Sequence, residues 1–290
     1  MARTVAASPL RRSPEFEHRL HHYRLTSHEP APLLRRVRVL LLLCLCSFSG
    51  CLLLLPPDPV MNSVRDELKG GNAKCLVIFL PGVRDEAEDF DEKGFVAALR
   101  ERKLSVDVIS AQATMPYYTQ GVLVERLGSD VIEPAQAKRY GQTWLIGVSM
   151  GGMGSLLYSH AHPDEVTGVL ALAPYLGKRS ITQEIRAAGG LASWQAPAKP
   201  EKVDVMDDGV YQRELWRWLQ ALTAGKEKGP ELYLGWGQED PWLAASCELL
   251  GEALPERRRY TVPGGHKWTS WKKVLDQFLN DSRFAKSCAR

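Results

Sequence analysis

The chain is poor in cysteine, with six in 290 residues. So few cysteines in a chain of this length exclude a small disulfide-framework domain, and their spacing matches no metal site. Cys44 and Cys46 lie in an apolar segment, and Cys75 opens a strand-like run. Cys247 and Cys288 are the two that we consider able to pair if the compartment is oxidising.

The chain also lacks a surplus of charge beyond its first fifty residues. Residues 1–50 hold eight arginines and three glutamates, whereas the rest holds 29 basic and 31 acidic groups. This balance excludes the basic footprint of a nucleic-acid-binding protein. Internal repeats and low-complexity tracts are absent, and an apolar content of 44% is ordinary for a globular protein. We expect one domain of about 230 residues behind an N-terminal extension.

The N-terminal extension has the pattern of a targeting segment. Residues 1–36 are polar and are interpreted as a disordered tail or a mis-assigned start. Residues 37–55 contain an apolar stretch and small residues behind arginines, as in a secretory signal. Phe48-Ser49-Gly50-Cys51 resembles a bacterial lipobox, which predicts lipidation of Cys51 and a membrane-anchored protein on the periplasmic or extracellular side. An uncleaved membrane helix is the alternative, because the apolar run is close to the ~20 residues of a span.

Strand-like and helix-like segments alternate from Lys74 onwards. Apolar, strand-like runs cover 75–80, 105–110, 143–148, 166–173, 231–236 and 258–262, with helical patterns between them. The alternation predicts an α/β domain over residues 70–290, a mostly parallel central sheet with helices on both faces. No convincing strand occurs in residues 178–229, between the strand ending near Ala173 and the strand starting near Glu231. We interpret this segment as a helical insertion over the carboxyl edge of the sheet, or otherwise as a decorative helix pair.

A Gly-x-Ser-x-Gly pattern stands between one of these strands and a helix. Gly147–Gly151 follows the apolar run 143–146 and opens the helical segment 153–160. A serine at the apex of such a turn needs a strained backbone, with small residues on both sides so that strand and helix approach closely. In this context the pattern predicts that Ser149, at the apex of the turn, is a nucleophile.

A serine hydroxyl needs a base, and the chain offers few histidines for that role. Four of its seven histidines lie in the N-terminal tail. His160 and His162 stand about ten residues along the helix from Ser149, or ~15 Å away, which is too far. His266 follows a strand and two glycines and precedes a helix, so it lies in a loop at the carboxyl end of a strand. His266 is therefore the predicted base.

The predicted orienting carboxylate is Asp240. It follows the strand 231–236 and precedes a helix, as an acid of a triad would. Glu239 is the local alternative, and Asp240 is otherwise interpreted as a plain helix N-cap. With Asp240 the chain order is serine, acid, histidine.

From Lys74 to the C-terminus the chain resembles the α/β-hydrolases. The resemblance rests on the serine at the strand–helix turn (the elbow, Gly147–Gly151), the acid after a later strand and the Gly-Gly-His loop before the last helix. The resemblance implies an oxyanion hole made by the amides of Met150 and Val83. The His-Gly-Gly-Gly oxyanion motif of some lipases and esterases is missing, and the first two strands of the family are not evident. No metal or organic cofactor is implied.

The resemblance implies a serine hydrolase that cleaves a small carboxylic ester through an acyl-enzyme. One alternative is an amide or peptide hydrolase, with Asp204, Asp207 and Asp208 binding a peptide amine. Another is a non-catalytic surface binding protein on the same fold. Trp194, Trp216 and Trp218 are interpreted either as lining an apolar acyl pocket or as simple packing.

Overall fold

The computed structural model describes residues 56–198 and 208–290. The predicted tail and targeting segment, with Cys51, lie outside them, as do Asp204 and Asp207. No helix in the described ranges is long and apolar enough to cross a membrane.

A seven-stranded sheet forms the centre of the domain. Its strands are β1 (Ser63–Asp66), β2 (Cys75–Leu80), β3 (Val106–Ala111), β4 (Gln142–Val148), β5 (Gly168–Leu172), β6 (Glu231–Gly237) and β7 (Arg259–Val262). Their order is β1-β3-β2-β4-β5-β6-β7. Only β1 pairs antiparallel among these strands. Every residue of β2, β3 and β5 is buried, which explains the nearly continuous apolar sequences of β2 and β5. The predicted α/β class and mostly parallel sheet are confirmed.

Helices fill the connections between the strands. They are α1 (Asp89–Glu92), α2 (Phe95–Glu101), α3 (Met115–Thr119), α4 (Leu123–Leu127), α5 (Glu133–Gln136), α6 (Met150–Ala161), α7 (Arg179–Ala187), α8 (Asp208–Thr223), α9 (Ala244–Glu252), α10 (Trp268–Asp281) and α11 (Arg283–Ser287). Between β3 and β4 the chain forms three short helices, and a π-helical turn at Gly128–Ile132 lies between α4 and α5.

The helices cover both faces of the sheet, as predicted. A Cβ atom on Gly235 would meet Val274 of α10, whereas the next side chain, Trp236, reaches Gly251 of α9. Since successive residues of a strand point to opposite faces, α9 and α10 lie on opposite sides of β6. On one side, helix α10 packs against α2 and α11. On the other, α9 packs against α7, α7 against α8, α8 against α6, and α6 against α4.

Helix α8 of the insertion lies along α6. Near the start of α8, Gln212 accepts a hydrogen bond from the Lys178 amide, just beyond β5. Further along α8, the Trp218 ring lies 5.1 Å from the His160 ring at the far end of α6. Helix α8 therefore runs from the segment just beyond β5 to the far end of α6.

The three tryptophans of the insertion are buried and serve packing. Trp194, Trp216 and Trp218 are at most 3% exposed. The indole N–H of Trp216 donates to Leu176 O at 2.8 Å, and that of Trp194 donates to Glu184 Oε1 at 3.0 Å. Of the two interpretations drawn from the sequence, the structure supports packing.

A disulfide joins Cys75, at the start of β2, to Cys288, with Cα atoms 5.9 Å apart. The pairing of Cys247 with Cys288 that the sequence suggested is wrong. Cys247 is a buried free thiol in α9, which packs against β6. The C-terminal segment instead lies beside β2 and β3, where the Ser105 amide donates to Cys288 O at 2.7 Å. Sequence spacing carries no information on this return of the chain.

Candidate active site

Ser149 stands at the tip of the tight turn between β4 and α6. Its φ of 53° and ψ of −111° place it in a conformation that side-chain-bearing residues rarely adopt. Its amide donates to Leu172 O at 2.8 Å, which ties the turn to β5. Such strain is typical of a residue whose side chain must be presented at a fixed place.

The glycines around Ser149 are required by close backbone approach. A Cβ atom on Gly147 would lie 2.1 Å from Gly151 O, and one on Gly151 would lie 2.0 Å from Leu80 O. A Cβ atom on Gly152 would lie 2.9 Å from Pro174 Cβ. These contacts bring strand, turn and helix together, as the Gly-x-Ser-x-Gly pattern predicted.

The three predicted triad residues lie on one edge of the sheet. Ser149 follows β4, Asp240 follows β6 and His266 follows β7. Strands β4 to β7 are parallel neighbours, so their carboxyl ends share an edge. This is the edge on which open α/β sheets bind their ligands.

Asp240 and His266 are in direct contact. His266 Nδ1 and Asp240 Oδ2 lie 2.6 Å apart. The two loops approach so closely that a Cβ atom on Gly237 would lie 2.2 Å from Gly264 O. Glu239, the alternative acid, is exposed and does not take this position.

The other carboxylate oxygen of Asp240 accepts two backbone hydrogen bonds. The amides of Trp242 and Leu243 each donate to Oδ1 at 3.0 Å. Asp240 thus caps the turn that follows it and also holds the histidine. The interpretation of Asp240 as a plain helix N-cap is wrong, because the helix begins at Ala244 with Leu243 as its N-cap. Burial raises the pKa of Asp240, but hydrogen bonds from His266 and from the two amides outweigh it and hold the pKa below the ordinary value. The carboxylate is therefore ionised at neutral pH.

Two indoles flank the His266 imidazole. The Trp271 ring is edge-on to it, with ring centroids 4.9 Å apart, and Trp271 is buried. The Trp242 ring lies at 5.5 Å and is 72% exposed. The imidazole is therefore fixed on one side by the core and bordered on the other by an exposed apolar surface. The sequence reasoning assigned no role to either tryptophan.

His160 and His162 lie far from this edge, at the end of α6, as the helix geometry predicted. His162 Nδ1 is 3.1 Å from Glu165 Oε1, and its ring stacks on Tyr158. His160 lies against Trp218.

Of the two residues predicted to supply the oxyanion hole, Met150 follows Ser149 directly in the chain and Val83 lies in the loop after β2. Met150 is the first residue of α6, where backbone amides have no partner within the helix. Val83 is in the loop after β2 and is 50% exposed. The preceding residue approaches the nucleophile, because a Cβ atom on Gly82 would lie 3.6 Å from Ser149 Cβ.

One carboxylate that the sequence reasoning missed joins this loop to α10. Asp85 Oδ2 accepts from the Gly82 amide at 3.2 Å, and Asp85 Oδ1 accepts from Trp268 Nε1 at 3.0 Å. The contact with Trp268 spans 183 residues of sequence, so no local pattern could have revealed it. Within the described ranges, no group of three or more His, Cys, Asp or Glu side chains is arranged to hold a metal ion.

Comparison with known proteins places the chain in a family. The model of the Esterase family matches residues 111–281, a range that holds Ser149, Asp240 and His266. A pyrethroid hydrolase of Sphingobium wenxiniae is 26% identical over 156 residues. These residues make up 52% of this chain and 45% of the relative, so the chain matches less than half of that relative's length.

Three solved structures share the fold at low sequence identity. A ferulic acid esterase has a TM-score of 0.52 and 16% identity, with 76% of this chain and 97% of the other covered. Est1E from Butyrivibrio proteoclasticus has a TM-score of 0.51 and 18% identity, with 78% of this chain and 96% of the other covered. The S-formylglutathione hydrolase FrmB from Staphylococcus aureus has a TM-score of 0.50 and 13% identity, with 78% of this chain and 98% of the other covered. The chain therefore belongs to the Esterase family and has the α/β-hydrolase fold.

Proposed function

We propose that the chain is a carboxylic ester hydrolase that works through Ser149, His266 and Asp240. The observation that carries the proposal is the 2.6 Å contact between His266 Nδ1 and Asp240 Oδ2, on the sheet edge where Ser149 occupies a strained turn. Membership of the Esterase family supports the reaction class.

In the proposed first step, His266 Nε2 takes the proton of Ser149 Oγ as that oxygen attacks the ester carbonyl. Asp240 accepts from Nδ1–H, which fixes the tautomer and stabilises the imidazolium. The lowered pKa of Asp240 supports this role, since the carboxylate remains charged.

The carbonyl oxygen becomes an oxyanion, and we assign its donors to the amides of Met150 and Val83. The Gly82 amide is already bonded to Asp85 Oδ2, which favours the next amide in the loop. The intermediate collapses as His266 protonates the departing alkoxide, leaving an acyl group on Ser149. Water, deprotonated by the same imidazole, then releases the acid and restores the serine.

We further propose that the substrate has an apolar or aromatic group beside the reacting carbonyl. The support is Trp242, which is 72% exposed with its ring 5.5 Å from the His266 ring. An indole at this place offers a flat surface for an apolar part of a bound ester. The Sphingobium relative is a pyrethroid hydrolase.

The domain is also proposed to work outside the cytoplasm, held at the membrane by its N-terminal segment. The disulfide between Cys75 and Cys288 supports this location, because such bonds persist in oxidising compartments. The signal-like residues 37–55 point the same way.

A fluorophosphonate probe together with p-nitrophenyl esters tests the proposed reaction. We expect the wild type to be labelled on Ser149 and to hydrolyse the esters, and Ser149→Ala to lose labelling and about 10⁴-fold or more in kcat. Ser193→Ala, which removes an exposed serine outside the site, is the matched control and should behave as wild type. Equal inactivity of wild type and Ser149→Ala, with no label on either, would refute the proposal.

A further inference from the structure

The Asp85 carboxylate bonds to two active-site segments at once. Its Oδ2 accepts from the Gly82 amide at 3.2 Å, within the loop that carries Val83. Its Oδ1 accepts from the indole N–H of Trp268 at 3.0 Å, across 183 residues of sequence. Trp268 is the first residue of α10 and stands two positions after His266.

The Gly82 side of this contact is adjacent to the nucleophile. A Cβ atom on Gly82 would lie 3.6 Å from Ser149 Cβ and only 2.5 Å from Asp85 Oδ2. The absence of a side chain there lets the carboxylate reach the amide. With that amide engaged, the orientation of the following peptide, which carries the Val83 N–H, is held relative to Ser149.

The Trp268 side is rigid. Its ring packs edge-on against Phe90, Phe95 and Trp271, at centroid distances of 5.2, 5.3 and 5.4 Å. Trp271 packs in turn against the imidazole of His266. The hydrogen bond from the indole therefore fixes Asp85 to the same aromatic cluster that supports the proposed base.

We infer that Asp85 is a positioning residue that holds the oxyanion loop in register with the histidine loop; this rests on the proposed function. The carboxylate brings a negative charge close to the place where the oxyanion forms, which by itself opposes the reaction. Two N–H donors, one from each segment, offset that charge. Asp85 acts through the Val83 amide and has no direct role in the chemistry.

Four variants test this inference: Asp85→Ala, Asp85→Asn, Trp268→Phe and the double variant Asp85→Ala/Trp268→Phe. Asp85→Ala removes both contacts, and we expect kcat to fall about 10–100-fold with KM changed less than about threefold. Asp85→Asn keeps the side-chain volume and one acceptor oxygen, so its loss should be intermediate. Trp268→Phe keeps an aromatic ring but removes the donor. It should lower kcat in the wild-type background and add nothing once Asp85 is alanine.

Two further readouts separate positioning from a general loss of structure. The affinity for a trifluoromethyl ketone, which forms a tetrahedral adduct on the serine, should fall by the same factor as kcat/KM. The melting temperatures of the four variants should not follow the order of their kcat/KM values. Asp89→Ala is the matched control, because Asp89 lies in the same segment and, among the residues that the structure describes, its carboxylate accepts local bonds from the Glu86 amide and Lys93. It should stay within about twofold of wild type.

The outcomes distinguish this inference from the proposed reaction. If wild type is labelled and active while Asp85→Ala equals it, the positioning role is refuted and the reaction stands. Additive effects of Asp85→Ala and Trp268→Phe, or an unchanged ketone affinity in Asp85→Ala, refute it as well. If wild type itself is inactive and unlabelled, the proposed reaction fails.

Discussion

His266 Nδ1 lies 2.6 Å from Asp240 Oδ2, although 26 residues of chain separate them. The contact exists because β6 and β7 are parallel neighbours and both loops leave the same edge. Gly237 and Gly264 allow the loops to approach closely, since any Cβ atom on Gly237 would overlap Gly264 O. The carboxylate thereby holds the Nδ1 edge of the imidazole, and in the proposed reaction Nε2 acts on the serine.

Asp240→Asn tests the orienting role. The amide would keep the size of the side chain and lose its charge, so the imidazole would adopt the wrong tautomer. We expect kcat to fall about 10³–10⁴-fold with little change in the fold. Steady-state kinetics and circular dichroism measure the two quantities. Glu239→Gln alters the neighbouring, exposed carboxylate and should leave kcat within about twofold. Equal losses in the two variants would contradict the assignment of Asp240.

Asp240 also predicts how stability depends on pH. Burial raises its pKa, but the hydrogen bonds from His266 and two amides lower the pKa by more than burial raises it. The pKa in the folded protein is therefore below the ordinary 3.8. A carboxyl group with a depressed pKa stabilises the fold above its unfolded pKa, and this is lost as the pH falls through the folded pKa. Below about pH 4, the free energy of unfolding of the wild type should decrease more steeply than that of Asp240→Asn. Urea unfolding between about pH 3 and pH 6 measures both, and parallel curves would contradict the prediction.

The elbow at Gly147–Gly151 and the loops that carry Asp240 and His266 were predictable, because short sequence patterns determine the turn and the order of strands and helices determines where the loops lie. Gly147 is required by its contact with Gly151 O within the strand–turn–helix unit, and Gly151 by its contact with Leu80 O at the end of β2, so both glycines fall within one short pattern. Parallel strands alternating with helices then bring the segments after β4, β6 and β7 to one edge. Elimination among seven histidines completed the assignment of His266.

Other features were beyond the sequence because they depend on distant or exposed contacts. β1 is a four-residue edge strand with mostly exposed residues, so it has no apolar pattern to detect. The hydrogen bond from the Trp268 indole to Asp85 depends on the return of α10 to the loop after β2. The partner of Cys288 likewise follows from tertiary packing of the C-terminal segment beside β2.

Loss of the disulfide should destabilise the domain. We expect Cys288→Ser to lower the free energy of unfolding by about 2–5 kcal/mol, because the bond closes a long loop of the unfolded chain. Urea unfolding with and without dithiothreitol measures the effect. The reductant should bring the wild type to the stability of Cys288→Ser and leave that variant unchanged. Cys247→Ala is the control, since this thiol is free, and its response to the reductant should equal that of wild type. A wild type insensitive to dithiothreitol would contradict the prediction.

Cys51→Ser tests the proposed lipid anchor. If Cys51 is the lipidation site, expression in a bacterium fed a clickable fatty acid should label the wild type, and the variant should lose the label. The variant should also move from the membrane fraction to the soluble fraction. Cys46→Ser, in the same apolar segment, is the control and should keep the label. Label retained by Cys51→Ser would contradict lipidation at this residue.

Trp242→Ala tests the apolar surface beside the proposed base. The indole is 72% exposed, so a bound apolar group would cover it and remove about 50–100 Å² of apolar area from water, worth ~1–2 kcal/mol. KM for aromatic and long-chain p-nitrophenyl esters should therefore rise about 5–30-fold, while KM for the acetate and all kcat values change little.

The Trp242 amide still donates to Asp240 Oδ1 in this variant, so the triad geometry is kept. Trp242→Phe should restore most of the affinity, and Val64→Ala, an exposed apolar residue on β1, should have no effect. An equal rise in KM for acetate and long-chain esters would show that Trp242 acts on His266 and not on the substrate.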